Sequence, residues 1–331
     1  MDHEVLDRYR GDLRVGLLHA VRGDSEAHHA ARVVLGLETP GGALVDGMVP
    51  SLRAGLLLFV AEELGAHLSA ALPAAVALEL IRTASDLHAG IVEKTAASSD
   101  RSGGRSSLGV TVAVQAGDLM FAAALEAALR TSQDILHCLL DAWRDTLDGK
   151  ALWQSFGARW GALSEVRAAI QLETAATFRC AFELGGIVAG ASAETLRRLA
   201  SFGEGVGMAW ALRDGLVSVW GDPDDPRRPR AAALRAQAKS YPLVAAYDAG
   251  TESDRRTLER AIKGAPGDAE FEKVFAILDR LAVRAETEDR VREHLEEAAA
   301  HVPYVPFSER GLQTLTELFD RLKSFAPSVD P

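Results

Sequence analysis

The chain has 331 residues, 48% of them hydrophobic and 25% charged, with a formal net charge of −11 and a pI of about 5.4. That is enough apolar material for a large core, and the acidic balance argues against a phosphate backbone, so no nucleic-acid partner is expected. Aromatic residues make up only 6%, and the Ala- and Leu-rich remainder favours helices packed on helices.

Along the chain, helical periodicity is nearly continuous. Gly and Pro clusters interrupt it at 38–42, 46–50, 221–230, 263–268 and 302–306. No alternating strand pattern is long enough for a sheet. The reading is one all-α domain over 1–331, a single large helical bundle. The N-terminus, MDHEVLDRYRGDLR, is too charged for a signal peptide. No apolar run is expected to approach the roughly 20 residues of a membrane span. A cytoplasmic protein with no membrane span is therefore expected.

The first strongly apolar helix is predicted over 52–65, the next over 77–93. Residues 94–107, KTAASSDRSGGRSS, are polar and small and read as a mobile loop. Further helices are predicted in 108–129, 173–192, 202–222 and 236–247. A last amphipathic helix runs from a Ser308 N-cap to Phe325. Cys138 and Cys180 fall inside helical patterns without metal-type spacing and read as small buried hydrophobes. Asp222, Asp224 and Asp225 are placed in a solvated loop by Pro223 and Pro226, facing Arg227, Arg228 and Arg230.

Six segments in order resemble the trans-isoprenyl diphosphate (polyprenyl) synthase family, over about residues 40–300. They are LRAGLLLFVAEELG (52–65), ALELIRTASDLHAGIVE (77–93), LGVTVAVQAGDLMFAAALEAAL (108–129), ETAATFRCAFELGGIVAGAS (173–192), FGEGVGMAWALRDGLVSVWGD (202–222) and AQAKSYPLVAAY (236–247). The resemblance implies that family's all-α isoprenoid-synthase fold. It also implies chemistry in which Mg²⁺, held by Asp-Asp-x-x-Asp on two helices, neutralises an allylic diphosphate leaving group.

The matching positions depart from that pattern. The first motif falls on Ala89-Gly90-Ile91-Val92-Glu93 and the second on Asp214-Gly215-Leu216-Val217-Ser218, leaving one carboxylate in each. The family's early Lys-Arg pair falls on Pro50 and Ser51, with Arg53 remaining. Its first-helix histidine falls on Arg82, and the lysine of Lys-Thr-Ala falls on Glu173. Its late Gly-Lys falls on Gln237-Ala238, next to Lys239.

Glu93 and Asp214 either share one weakly held Mg²⁺ or are ordinary solvated carboxylates; the second reading is adopted, because two monodentate ligands hold Mg²⁺ poorly. Arg82 and Asp86 are four apart and should pair on one helix face. That pair is either a new polar site or a charge-neutralising contact, and the latter is preferred. His88 is a candidate general base, read as structural. Asp118 is read as structural too. Ala84 and Ser85 lie where the resemblance implies pocket depth, so they are either pocket lining or close packing. Arg53, Ala89, Gly90 and Trp210 complete the candidate pocket.

Three functions are open. The first is a non-catalytic family member, a homodimer or a partner of an active isoprenyl diphosphate synthase. The second is a repurposed prenyltransferase or terpene cyclase using Arg82, Asp86, His88, Glu93 and Asp214, with Mg²⁺ only if activity survives. The third is a carrier of a prenyl-chain ligand. The first is preferred, and no cofactor is expected.

Overall fold

The computed structural model describes residues 8–45, 52–96, 109–157, 159–221, 230–236, 238–264 and 268–324, with backbone alone for 92–96 and 268. Among them the regular structure is helical, apart from one isolated bridge between Glu38 and Leu44. The all-α expectation is met. The helices are α1 (Arg10–Ala20), α2 (Glu26–Val34), α3 (Leu52–Glu63), α4 (Leu68–Ala96), α5 (Val110–Leu129), α6 (Gln133–Ser155) and α7 (Leu163–Ile170). A π turn, Gln171–Ala175, leads into α8 (Ala176–Val188). Then come α9 (Ala193–Trp220), α10 (Ala232–Arg235), α11 (Tyr241–Ala249), α12 (Glu252–Lys263), α13 (Asp268–Arg280), α14 (Val283–Ala299) and α15 (Glu309–Lys323).

The chain divides into two compact units, Met1–Trp143 with Cys180–Ala200, and Arg144–Arg179 with Ser201–Pro331. In the first unit, α4 and α5 make the most extensive helix–helix packing among the described residues, with α3 and α1 on α4 and α2 on α5. Small residues allow this closeness. On α8, a Cβ added at Gly185 would stand 2.8 Å from the Leu57 carbonyl oxygen of α3, too near for any side chain. In the second unit α11 lies against α7 and α14, and α14 against α15.

Local signals account for several ends. Ser308 caps α15, its Oγ accepting from the Gly311 N–H at 3.0 Å, as its position before the apolar periodicity predicts. Helix α4 runs on to Ala96, three residues into the stretch read as a loop. Alanine and lysine are good helix formers, so Lys94–Ala96 extend the helix they follow. Residues 97–107 lie outside the described residues, as do Pro50, Ser51, Gln237 and the cluster from Asp222 to Arg228.

The expectation of no membrane-length apolar run is corrected. Leu68–Ile91 and Val110–Leu129 are long and apolar enough to cross a membrane, and they are 67% and 39% buried within the chain. Scattered Glu79, Arg82 and Asp86 interrupt the first run without lowering its average hydropathy below that of a membrane helix. The core helix of a large all-α protein has the same composition.

Candidate functional site

In the first unit, helix α4 carries the candidate polar residues. Arg82 Nη2 meets Glu79 Oε1 at 2.5 Å and Arg82 Nη1 meets Asp86 Oδ2 at 2.7 Å. The expected Arg82–Asp86 pair is present, and Glu79 joins it one turn earlier. Glu79 is buried, whereas Asp86 reaches solvent. Thr83 Oγ1 also accepts from Arg82, at 3.3 Å. Burial works against the guanidinium charge, but Glu79 and Asp86 outweigh it and raise the Arg82 pKa. Sequence reasoning missed Glu79. Its spacing of three from Arg82 is a visible signal, but its burial is not.

His88 does not stand apart on α4. Its ring lies over Gly117 of α5, with Nε2 3.4 Å from the Val114 carbonyl oxygen and 3.9 Å from Asp118 Oδ1. A Cβ at Gly117 would fall 2.0 Å from Nε2, so the Ala-Gly-Asp sequence makes room for the ring. The structure thus brings His88 and Asp118 together.

Ala84 and Ser85 are buried, and Ser85 Oγ has no hydrogen-bond partner among the described residues. Ala89 and Gly90 are half-buried, and an added Cβ at Gly90 meets no atom within 4 Å among the described residues. Arg53 is half-buried in the first turn of α3. Glu93 belongs to α4, but its side chain lies outside the described residues.

In the second unit, helix α9 carries Trp210 and Asp214. Asp214 is exposed. Leu216 and Val217 are buried, and Ser218 Oγ donates to the Gly215 carbonyl at 2.7 Å. Gly215 faces Pro242 of α11, whose Cδ would lie 3.1 Å from an added Cβ. Trp210 is half-buried, its ring tilted at 42° to Phe178 with centroids 5.8 Å apart. Glu173 sits in the π turn and pairs with Lys150 at 3.4 Å. Backbone insertions of this kind recur at functional sites. Gly149 of α6 lies so close that an added Cβ would be 2.6 Å from the Glu173 nitrogen.

Lys239 donates to the carbonyl oxygens of Phe156, Gly157 and Arg159, beyond the end of α6. Its pKa is lowered, first by burial and then by Lys263 and Arg159. Spacings of about 80 residues gave no sequence signal for this contact.

Neither 89–93 nor 214–218 by itself offers the three carboxylates of an Asp-Asp-x-x-Asp Mg²⁺ motif. Residues 89–92 and 215–217 offer no side-chain oxygen, and Ser218 spends its hydroxyl on its own helix. The chain's single Asp-Asp dipeptide, Asp224-Asp225, is followed by Pro-Arg-Arg. Among the described residues no group of three His, Cys, Asp or Glu could hold a metal. The two cysteines, on α6 and α8, are not joined by a disulfide and their sulfurs lie 3.6 Å apart; Cys180 is buried, but Cys138 is only half-buried, unlike the expectation.

Residues 42–278 match the family model described as Polyprenyl synthetase. The chain is 28% identical over 211 residues to a (2E,6E)-farnesyl diphosphate synthase of Mycobacterium tuberculosis, covering 62% of this chain and 59% of that one. It thus spans about three fifths of the length of the mycobacterial relatives it matches. It is 23% identical to the octaprenyl diphosphate synthase of Escherichia coli, covering 80% of this chain and 83% of that one. Among solved structures, a polyprenyl synthetase from Streptomyces coelicolor superposes with a TM-score of 0.84 at 26% identity, covering 97% and 99% of the two chains. With the family model spanning well over half of its residues, the chain belongs to the polyprenyl synthetase family.

Proposed function

We propose that this chain is a non-catalytic member of the isoprenyl diphosphate synthase family, acting as a partner subunit for a second copy or for an active synthase. The observation that carries this reading is the pair of stretches 89–93 and 214–218, which hold one carboxylate each. A diphosphate leaving group carries several negative charges, and without bound metal or a cluster of cations its departure is strongly disfavoured. The basic positions support the same reading, since Glu173 and Lys239 are engaged with Lys150 and with backbone carbonyls. A face of α5 supports pairing: Val110, Val114 and Leu129 are 55%, 39% and 69% exposed on a helix of nearly continuous apolar character.

The test is pyrophosphate release from geranyl, farnesyl and geranylgeranyl diphosphates, with and without Mg²⁺ and isopentenyl diphosphate. The expected result is no release under any condition. Release would overturn the proposal.

A second reading, binding or unusual transfer of a prenyl chain, is favoured by one specific feature. Ala84, buried Ser85 with an unsatisfied hydroxyl, and the open space at Gly90 lie on one helix. The products of any turnover would tell transfer from cyclisation.

A further inference from the structure

We propose that the first unit carries a separate binding site for a single-chain amphiphilic anion, in a cleft between α1, α2, α4 and α5. The cleft encloses about 390 Å³, within the range of roughly 300–1,000 Å³ of small-molecule sites. Its floor is apolar: Leu72, Pro73 and Val76 of α4 with Leu119 and Ala123 of α5. Its rim carries His19, Arg22, His28 and Arg130, with Glu126 as the acidic member. In a chain of net charge −11 this is a local reversal of sign above an apolar floor. That combination is complementary to an anionic head on an apolar tail.

The rim is built rather than incidental. Gly16 brings α1 down on α4, where an added Cβ would lie 2.7 Å from Val76 Cγ2. Gly23, at φ +148°, leaves the space that the His28 ring fills, 2.5 Å from where a Cβ would stand. Ser25 Oγ, 2.7 Å from His28 Nδ1, holds that ring. Arg22 Nη1 stands 3.2 Å from His19 Nε2 and 3.4 Å from His19 Nδ1, a contact with an imidazole rather than a carboxylate. The guanidinium charge is therefore not cancelled by this contact. Glu126 pairs with Arg130 on its own helix turn, so the acidic member offsets Arg130 rather than Arg22. A carboxylate or a phosphate head would serve, because a guanidinium fork binds both.

The test titrates the full chain by calorimetry with decanoate, decyl phosphate and neutral decanol, each below its aggregation limit. Both anions, or one of them, should bind, with decanol weaker by about tenfold, as loss of a charge-assisted contact implies. The preferred anion identifies the head group. Ala122, exposed at the cleft wall, can be enlarged without touching the core. Ala122→Trp should reduce anion affinity by at least roughly tenfold by filling the cleft. Arg22→Ala should weaken the anions by about tenfold and leave decanol unchanged. Thermal melts matching the parent chain establish that both variants fold. Failure of both anions to bind, decanol binding as tightly, or an affinity indifferent to Ala122→Trp would each overturn the proposal.

Discussion

Two glycine-to-alanine substitutions should move stability in opposite directions. In a helix interior, replacing Gly by Ala gains roughly 0.5–1 kcal/mol, because alanine has less backbone freedom to lose. At Gly90 nothing among the described residues lies within 4 Å of the added Cβ, so this gain should appear undiminished. At Gly149 the same atom would stand 2.6 Å from the Glu173 nitrogen, 2.9 Å from its Cβ and 3.0 Å from its Cα. Two of those are backbone atoms of the π turn, which cannot rotate away. Overpacking of this kind costs about 1–3 kcal/mol, so the net loss should be about 1–2 kcal/mol after the helix gain. For 331 residues the unfolding entropy is roughly 0.7 kcal/mol/K, at about 2.1 cal/mol/K per residue. Gly149→Ala should therefore lower Tm by about 2 °C and Gly90→Ala raise it by about 1 °C. Scanning calorimetry on the two variants side by side reads the difference. A Gly149→Ala variant as stable as the parent, or a Gly90→Ala variant that melts lower, would refute the argument from space.

Arg82→Met should leave buried Glu79 without its guanidinium and lower stability by about 2–3 kcal/mol, below the range for fully buried pairs because Arg82 keeps some solvent contact. The double variant Arg82→Met/Glu79→Leu should recover most of the loss in thermal melts. Ser85→Ala removes a buried hydroxyl that has no hydrogen-bond partner among the described residues, so it should be neutral or stabilising by up to about 1 kcal/mol; a clear drop in Tm would refute this. Asp254 accepts from the Thr251 hydroxyl and backbone N–H and pairs with Arg280 at 2.7 Å, which lowers its pKa to about 2. Because the folded value lies below the ordinary one, its contribution is complete above about pH 4 and is lost as pH falls toward 2. Asp254→Asn should flatten that part of the acid-unfolding profile, and an unchanged profile would count against the assignment.

The features legible in the sequence are those that depend on near neighbours. The Arg82–Asp86 pair and the Ser308 cap join residues three or four apart, and helical geometry alone brings such residues together. The helices themselves follow from apolar periodicity and alanine-rich propensity. Their boundaries are less legible: α4 extends through Ala96 because nothing in Lys94–Ala96 opposes a helix already begun. The membrane-length character of α4 and α5 is hidden by isolated charges, which break a run without pulling its average below that of a membrane helix.

The order of the six segments already carried the family resemblance, and the residues at 89–93 and 214–218 are a matter of sequence alone. Tertiary structure decided what the neighbouring groups touch. It set His88 over Gly117, Lys239 on carbonyls some 80 residues away, and the two sulfurs of Cys138 and Cys180 3.6 Å apart. It also gathered the rim and floor of the cleft from four helices. Composition and periodicity say which face of a helix is apolar, but not which neighbour covers it. That partner is fixed only when glycines such as Gly16, Gly117 and Gly149 let particular backbones approach.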